Sequence, residues 1–160
     1  MTPDQATHPS RHSGWGLRFP KYGHIPLFML SPCHCTRLRM ATRKISALYD
    51  AALAPEGINV AQFSVLRTIE RRQSISLTDL ARRLDLDRST MGRNVRVIER
   101  MGLVTTAKGG DQREAAVSLT DEGAALLARA IPLWQACQND IESRLGPDRL
   151  AMIWELLPLL

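Results

Sequence analysis

Apolar and polar positions from residue 77 to residue 104 repeat with the period of an α-helix, in two stretches that a tight turn separates. In the first stretch the apolar positions share one face, and they are Leu80, Ala81 and Leu84. Ser76 and Asp79 have the spacing of a helix-capping signal. We therefore expect a short helix to begin directly after Ser76.

The second stretch combines a narrow apolar face with a row of arginines. Asp87 is expected to cap this helix and Gly102 to end it, because glycine adopts the left-handed conformation most readily. At 100° per residue, the apolar face carries Met91, Val95 and Ile98. The opposite face carries Ser89, Arg93, Arg96 and Arg100, with Gly92 beside them. If the apolar face packs on the first helix, the arginines face outward, where such a helix can enter the major groove of DNA.

A β-hairpin is predicted directly after this helix. In the first strand the alternating positions are Leu103, Thr105 and Ala107, and in the second they are Ala115, Val117 and Leu119. The turn between the strands is formed by Lys108, Gly109 and Gly110. Asp111 and Arg113 stand two residues apart near the tip, so the carboxylate can hold the guanidinium extended toward a minor groove. A row of arginines alone is equally typical of a solvated surface. The charged hairpin beside it favours DNA binding.

More apolar helices are predicted on both sides of this region. Before it, an apolar stripe between Leu38 and Ala52 indicates a helix, and a second helix covers about residues 60 to 72. After it, a long helix that Thr120 caps is expected to kink near Pro132. The last helix is too apolar to be stable in water unaided, so we expect it to pack on a second copy of the chain, together with the first helix.

The sequence resembles the MarR-type winged helix-turn-helix transcription regulators over about residues 33 to 160. The resemblance is carried by the helix pair LTDLARRLDLDRSTMGR, by RMGLV at the end of the second helix, and by a wing signature formed by Asp111, Arg113, Leu119 and Thr120. It implies a mainly α-helical fold with a small β-hairpin wing. The winged helix-turn-helix would span about residues 58–120, and the dimerisation helices about 33–54 and 121–160.

The resemblance also implies a function. We expect a homodimer that binds a pseudo-palindromic operator in double-stranded DNA, usually as a repressor that a small phenolic ligand or an oxidant releases. The predicted DNA contacts are Arg88, Ser89, Thr90, Gly92, Arg93, Arg96, Lys108, Asp111 and Arg113. Regulators of this type often have a ligand pocket beside the first two helices, and the candidate lining residues are Arg43, Tyr49, Phe63 and Trp134. An ordinary place in the core is the alternative for Tyr49 and for Phe63.

Charge and composition agree with an anionic partner. The 160 residues carry a net charge of +5, and the basic residues are concentrated in residues 1–120, with eighteen Lys or Arg against ten Asp or Glu. Residues 1–31 are rich in proline, lack a helical period and are interpreted as a disordered leader, with Met29 as an alternative native start. Neither a signal peptide nor a membrane span is predicted, and we expect a cytoplasmic protein.

The three cysteines are an odd number and are expected to be reduced thiols. Cys33, His34 and Cys35 are candidate metal ligands, but consecutive residues rarely wrap one ion, and neither a metal nor a cofactor is predicted. The spacing from Cys35 to Tyr49 resembles that of the hydroperoxide-sensing branch of the family. Because fourteen helical residues span about 21 Å, Cys35 would meet such a tyrosine only across a two-fold axis. Cys137 is the candidate resolving thiol, and a small buried apolar residue is the alternative.

Two other classes of function compete with DNA-binding regulation. An enzyme is not expected, since the sequence shows no nucleophile with a nearby base, no paired carboxylates and no phosphate-binding glycine motif. A winged helix that contacts only other proteins is the stronger alternative, because a fold does not dictate its use.

Overall fold

A computed structural model of the chain describes residues 33–108 and 115–159. The predicted leader and the predicted tip of the wing lie outside the described residues. The described residues from Arg39 onward belong to one compact unit.

The described residues are mainly helical. The helices are α1 His34–Leu53, α2 Val60–Glu70, α3 Leu77–Arg83, α4 Arg88–Arg100, α5 Asp121–Leu145 and α6 Pro147–Leu156. The strands are β1 Ser74–Ser76, β2 Val104–Lys108 and β3 Ala115–Leu119. Single turns of 3₁₀ helix follow α1 at Ala54–Glu56 and α6 at Leu157–Leu159. None of the described helices combines the length and the hydropathy that a membrane span requires.

Local hydrogen bonds fix where the helices begin. The side chain of Ser76 accepts from the N–H of Asp79 at 3.1 Å, and the side chain of Thr120 accepts from the first turn of α5 at 3.0 Å. Both caps confirm the sequence-based predictions. Asn59 and Gln62 form a reciprocal capping box at the start of α2, with both hydrogen bonds at 2.9 Å. This cap was not among the sequence-based predictions.

The strands form one antiparallel sheet in the order β1-β3-β2, so that the predicted hairpin gains a third strand. Val117 at its centre pairs with Ile75 of β1 and with Thr106 of β2. The prediction for β2 needs one correction. This strand begins at the buried Val104, and Thr105, Thr106 and Ala107 are all exposed, so the expected alternation of inward positions is absent.

The hydrophobic core lies between α2, α3, α4, the sheet and the first half of α5. Its fully buried larger side chains are Leu53, Val65, Leu66, Ile69, Leu80, Met91, Ile98, Val117 and Leu127. Among the described residues no polar or charged side chain is buried. The residues that periodicity predicted to face inward on α3 and α4 therefore form part of this core, apart from the half-buried Leu84.

Close backbone contacts join α5 to the junction between α4 and β2. The Thr120 N–H donates to the Leu103 carbonyl at 3.1 Å, and the Thr120 hydroxyl donates to the Gly102 carbonyl at 2.6 Å. A Cβ atom on Gly123 would lie 1.9 Å from the Leu103 oxygen. Glycine is therefore required at residue 123 by the approach of α5 to the backbone.

Helices α1 and α6 keep apolar side chains at the surface. Met40 and Leu48 of α1 are 37 and 38 % exposed, and α6 and the turn after it expose Met152, Trp154 and Leu159 by 67, 71 and 80 %. No residue of α6 is buried. In the structure of one chain, apolar side chains thus stay exposed on both helices that the sequence assigned to an interface.

Candidate nucleic-acid interface

Helix α4 has two chemically distinct faces. Met91, Val95 and Ile98 are at most 3 % exposed and anchor the helix in the core. Arg93, Arg96 and Arg100 are exposed on the rest of its surface. Because the apolar face is fixed by packing, the arginines have a fixed direction relative to the fold. The buried apolar face and the exposed arginines confirm both predictions from periodicity.

A network of hydrogen bonds organises the start of α4. The Asp87 carboxylate accepts from the Thr90 N–H at 2.8 Å and from the hydroxyls of Ser89 and Thr90, both at 2.6 Å. These hydrogen bonds, with that of Ser89 the largest cause, hold the pKa of Asp87 far below its usual range. Arg93 donates to the Thr90 hydroxyl at 3.0 Å. The predicted cap is thus linked to the first arginine of the exposed row.

The arginines line an open groove of about 610 Å³ along α4. Its walls are formed by Arg93, Arg96, Val97, Glu99 and Arg100. Arg100 donates from Nε to the Arg96 carbonyl at 3.3 Å, which directs its guanidinium along the helix. Three guanidinium groups against one carboxylate give the groove a net positive charge, so it suits an anionic ligand such as the backbone of a nucleic acid.

Glu99 is a residue of this surface that the sequence analysis missed. Its carboxylate accepts from the Thr106 hydroxyl at 2.6 Å and from the Thr106 N–H at 3.2 Å. The contact joins α4 to β2 across the turn at Gly102. No sequence pattern signalled it, because the two residues lie on different elements with different periods.

The remaining predicted contact residues have varied positions. Arg88 opens α4 and is exposed. Gly92 is half-buried, and a Cβ atom there would meet the Cδ2 atom of Leu77 at 3.6 Å, which places this glycine at the contact between α3 and α4. Lys108 ends β2. Asp111 and Arg113 lie outside the described residues, and their role stays a prediction.

Three of the four predicted pocket residues meet in one aromatic stack. The Trp134 ring stacks with both Tyr49 and Phe63, at centroid distances of 6.4 and 5.6 Å and with planes within 18° of parallel. The Tyr49 hydroxyl donates to Gln138, and burial raises the pKa of Tyr49. Arg43 is exposed on α1. The stack joins α1, α2 and α5, and the pocket itself stays a prediction.

The cysteines have unlike surroundings. Cys33 and Cys35 are exposed, and Cys137 is half-buried on α5. Hydrogen bonds with Thr36 lower the pKa of the Cys33 thiol, whereas burial raises that of Cys137. Among the described residues no cluster of three or more His, Cys, Asp or Glu could hold a metal ion. The spacing to Tyr49 pointed to Cys35, whereas the hydrogen bonds of Cys33 at the start of α1 have no signal in the sequence.

Comparison with known proteins gives consistent results. Residues 56–114 match the model of the MarR family. The M. tuberculosis transcriptional regulator MosR, solved in complex with DNA, is 35 % identical, with a TM-score of 0.71, and 78 % of this chain and 92 % of that chain are covered. A mutant of E. coli MarR, solved with operator DNA, is 27 % identical, with a TM-score of 0.69 and coverage of 77 and 89 %.

A curated relative from Bacillus subtilis is named organic hydroperoxide resistance transcriptional regulator. It is 25 % identical over 100 residues, which are 62 % of this chain and 68 % of that protein. The family model, the identity to MosR and the shared arrangement of the helices and the sheet show that this chain belongs to the MarR family of transcription regulators.

Proposed function

We propose that the protein is a sequence-specific regulator that binds double-stranded DNA through α4 and the adjoining wing. The observation that carries the proposal is the row formed by Arg93, Arg96 and Arg100, exposed on a helix whose opposite face is locked in the core. Exposed arginines on a helix can form bidentate hydrogen bonds with guanine in the major groove and ion pairs with phosphates. MosR and E. coli MarR, with similar folds, have both been solved bound to DNA.

The start of α4 supports base recognition rather than charge attraction alone. The first residues of a recognition helix are those that contact base edges in helix-turn-helix proteins. Here Ser89 and Thr90 occupy this place, and Asp87 holds both hydroxyls and the Arg93 side chain through Thr90. Side chains that are already ordered lose less conformational entropy on binding.

We further propose that the regulator acts as a homodimer on a pseudo-palindromic operator. Helix α6 has ten residues and none of them is buried, although Met152 and Trp154 are large and apolar. A helix this short is marginal in water without packing, and a second copy of the same surface would bury these side chains in an isologous interface. Two recognition helices would then meet two half-sites.

As a repressor, the protein would be released from DNA by a ligand or by thiol oxidation. The stack of Tyr49, Trp134 and Phe63 supports the first route, because it joins α1 and α5 to α2 and could open around a flat phenolic molecule. The resemblance to the hydroperoxide-sensing branch supports the second route, through Cys35 with Cys137 as the resolving thiol. Loss of operator binding after addition of either effector is the direct test, and Cys35→Ser should abolish only the response to peroxide.

Selection of bound fragments from a random pool, followed by fluorescence anisotropy on a selected and a scrambled duplex, tests DNA recognition. We expect Arg93→Ala to weaken binding to the selected duplex by about 5- to 150-fold and to reduce the preference over the scrambled one. Arg144→Ala is the matched control, since it removes the same charge from α5 and should change affinity little. Equal effects of the two variants, or no binding to any duplex at low salt, would favour a winged helix that contacts only proteins.

A further inference from the structure

We infer that Glu99 is a positioning residue that holds strand β2 against the recognition helix, in the arrangement that DNA binding requires. The inference rests on the proposed function, because it concerns how two DNA-binding elements are kept in register. Glu99 itself would contact no base and no phosphate.

The Glu99 carboxylate accepts two hydrogen bonds from a single residue of β2. Glu99 Oε1 accepts from the Thr106 hydroxyl at 2.6 Å and from its N–H at 3.2 Å. Thr106 lies in the middle of β2, which is an edge strand of the described sheet, and its partner on β3 is Val117. The N–H that reaches Glu99 is therefore on the strand edge that β3 does not cover. The Glu99 carboxylate accepts a hydrogen bond from that open edge of β2 and so links it to α4.

The hydrogen bonds of Glu99 hold the part of β2 that is not buried in the core. Val104, at the start of β2, is 2 % exposed and is anchored in the core. Thr105, Thr106 and Ala107 are all exposed, so burial contributes little to their position. Within residues 33–108 and 115–159, the side-chain hydrogen bonds given by the structure between α4 and β2 are those of Glu99. The ladder with β3 holds one edge of β2, and Glu99 links the other edge to α4.

The charge of Glu99 argues against a direct role in DNA binding. Its carboxylate lies in the groove that Arg93, Arg96 and Arg100 line, and a negative charge there opposes the approach of phosphates. Its electrostatic effect on DNA binding is therefore unfavourable, whereas the effect of its hydrogen bonds is favourable. Because the two contributions have opposite signs, substitutions can separate them.

Three variants make this separation, measured by anisotropy on the duplex selected for the wild type. Glu99→Ala loses both hydrogen bonds, and we expect affinity to fall about tenfold although a negative charge is removed. Glu99→Gln keeps an oxygen acceptor and loses the charge, so it should bind at least as tightly as the wild type. Thr106→Val changes no charge and removes the hydroxyl donor, so it should also bind more weakly, and Thr106→Ser should restore binding.

Salt dependence supplies a readout that a loss of stability alone does not change. If β2 is displaced in Glu99→Ala, phosphate contacts made by the wing are lost, and the slope of log affinity against log salt should become shallower by about one or more. Thermal unfolding of each variant confirms that binding is measured on folded protein.

The outcomes distinguish this role from the proposed function. If the wild type binds a selected duplex and both Glu99→Ala and Glu99→Gln bind it more tightly, Glu99 is merely a repulsive surface charge and the inference is wrong. If the wild type binds no duplex, the proposed function fails and the positioning role fails with it.

Discussion

Substitution of Gly123 by alanine is expected to loosen the attachment of α5 to the DNA-binding region. The added Cβ would lie 1.9 Å from the Leu103 oxygen and 2.8 Å from its carbonyl carbon. Since ordinary contacts begin near 3.4 Å, the helix or the strand must move by about 1.5 Å. Neither neighbour is a flexible side chain that could give way, because both atoms belong to the backbone.

The magnitude follows from two effects. Overpacking of this kind typically costs about 1–3 kcal/mol. The displacement also strains the hydrogen bond from the Thr120 N–H to Leu103, now 3.1 Å long, which contributes about 1 kcal/mol. Together they give about 2–4 kcal/mol. For a domain of this size that corresponds to a decrease in Tm of about 5–15 °C.

Gly92→Ala is the matched control, because it makes the same change inside another helix. There the new Cβ meets Leu77 Cδ2 at an ordinary 3.6 Å, and alanine favours helix over glycine by up to about 1 kcal/mol. We expect Tm to stay unchanged or to rise slightly, as measured by circular dichroism or scanning fluorimetry at fixed protein concentration. Equal Tm values for Gly123→Ala and the wild type would refute the close approach described above.

Three further predictions concern the interface, the cap and the thiols. Trp154→Glu places a charge on the exposed apolar face of α6, so light scattering should show a monomer, whereas the proposed interface predicts a dimer for the wild type; an unchanged mass would contradict that interface. Hydrogen bonds in the folded state lower the pKa of Asp87, so its carboxylate stabilises the fold above about pH 4, the unfolded value, and this contribution is lost as the pH falls further. The difference in Tm between the wild type and Asp87→Ser should therefore shrink below pH 4, and a difference that grows would show that the sign is wrong. Hydrogen bonds lower the pKa of Cys33 and burial raises that of Cys137, so iodoacetamide near neutral pH should modify Cys33 first, as mapped by peptide mass; faster modification of Cys137 would exclude this order.

Several elements could be predicted from local patterns. Met91, Val95 and Ile98 recur at helical spacing, and all three are buried in the structure. Asp87 and Thr120 were identified as caps because short polar side chains favour these positions. Such features depend on residues within one or two turns of each other, so the order of residues carries most of the information.

The functional residues also divide into those that local spacing predicts and those that depend on tertiary contacts. The arginine row was predictable, since the direction of a helical side chain follows from the face that is buried. The contact between Glu99 and Thr106 was not, because it depends on how β2 turns back along α4 after Gly102. The third strand escaped prediction for a similar reason: Ser74–Ser76 is too short to show a period, and it becomes a strand by pairing with β3.

The amino-acid sequence by itself determined the helices, the caps of α3, α4 and α5, the exposed arginine row and the family resemblance, because each of these is encoded by spacing along the chain. Only the tertiary structure decided which elements touch: the stack of Tyr49, Trp134 and Phe63, the fit of Gly123 against Leu103, and the bond from Glu99 to the wing. Such contacts join residues that are far apart in the chain or lie on different elements, and packing of the whole core sets their distances.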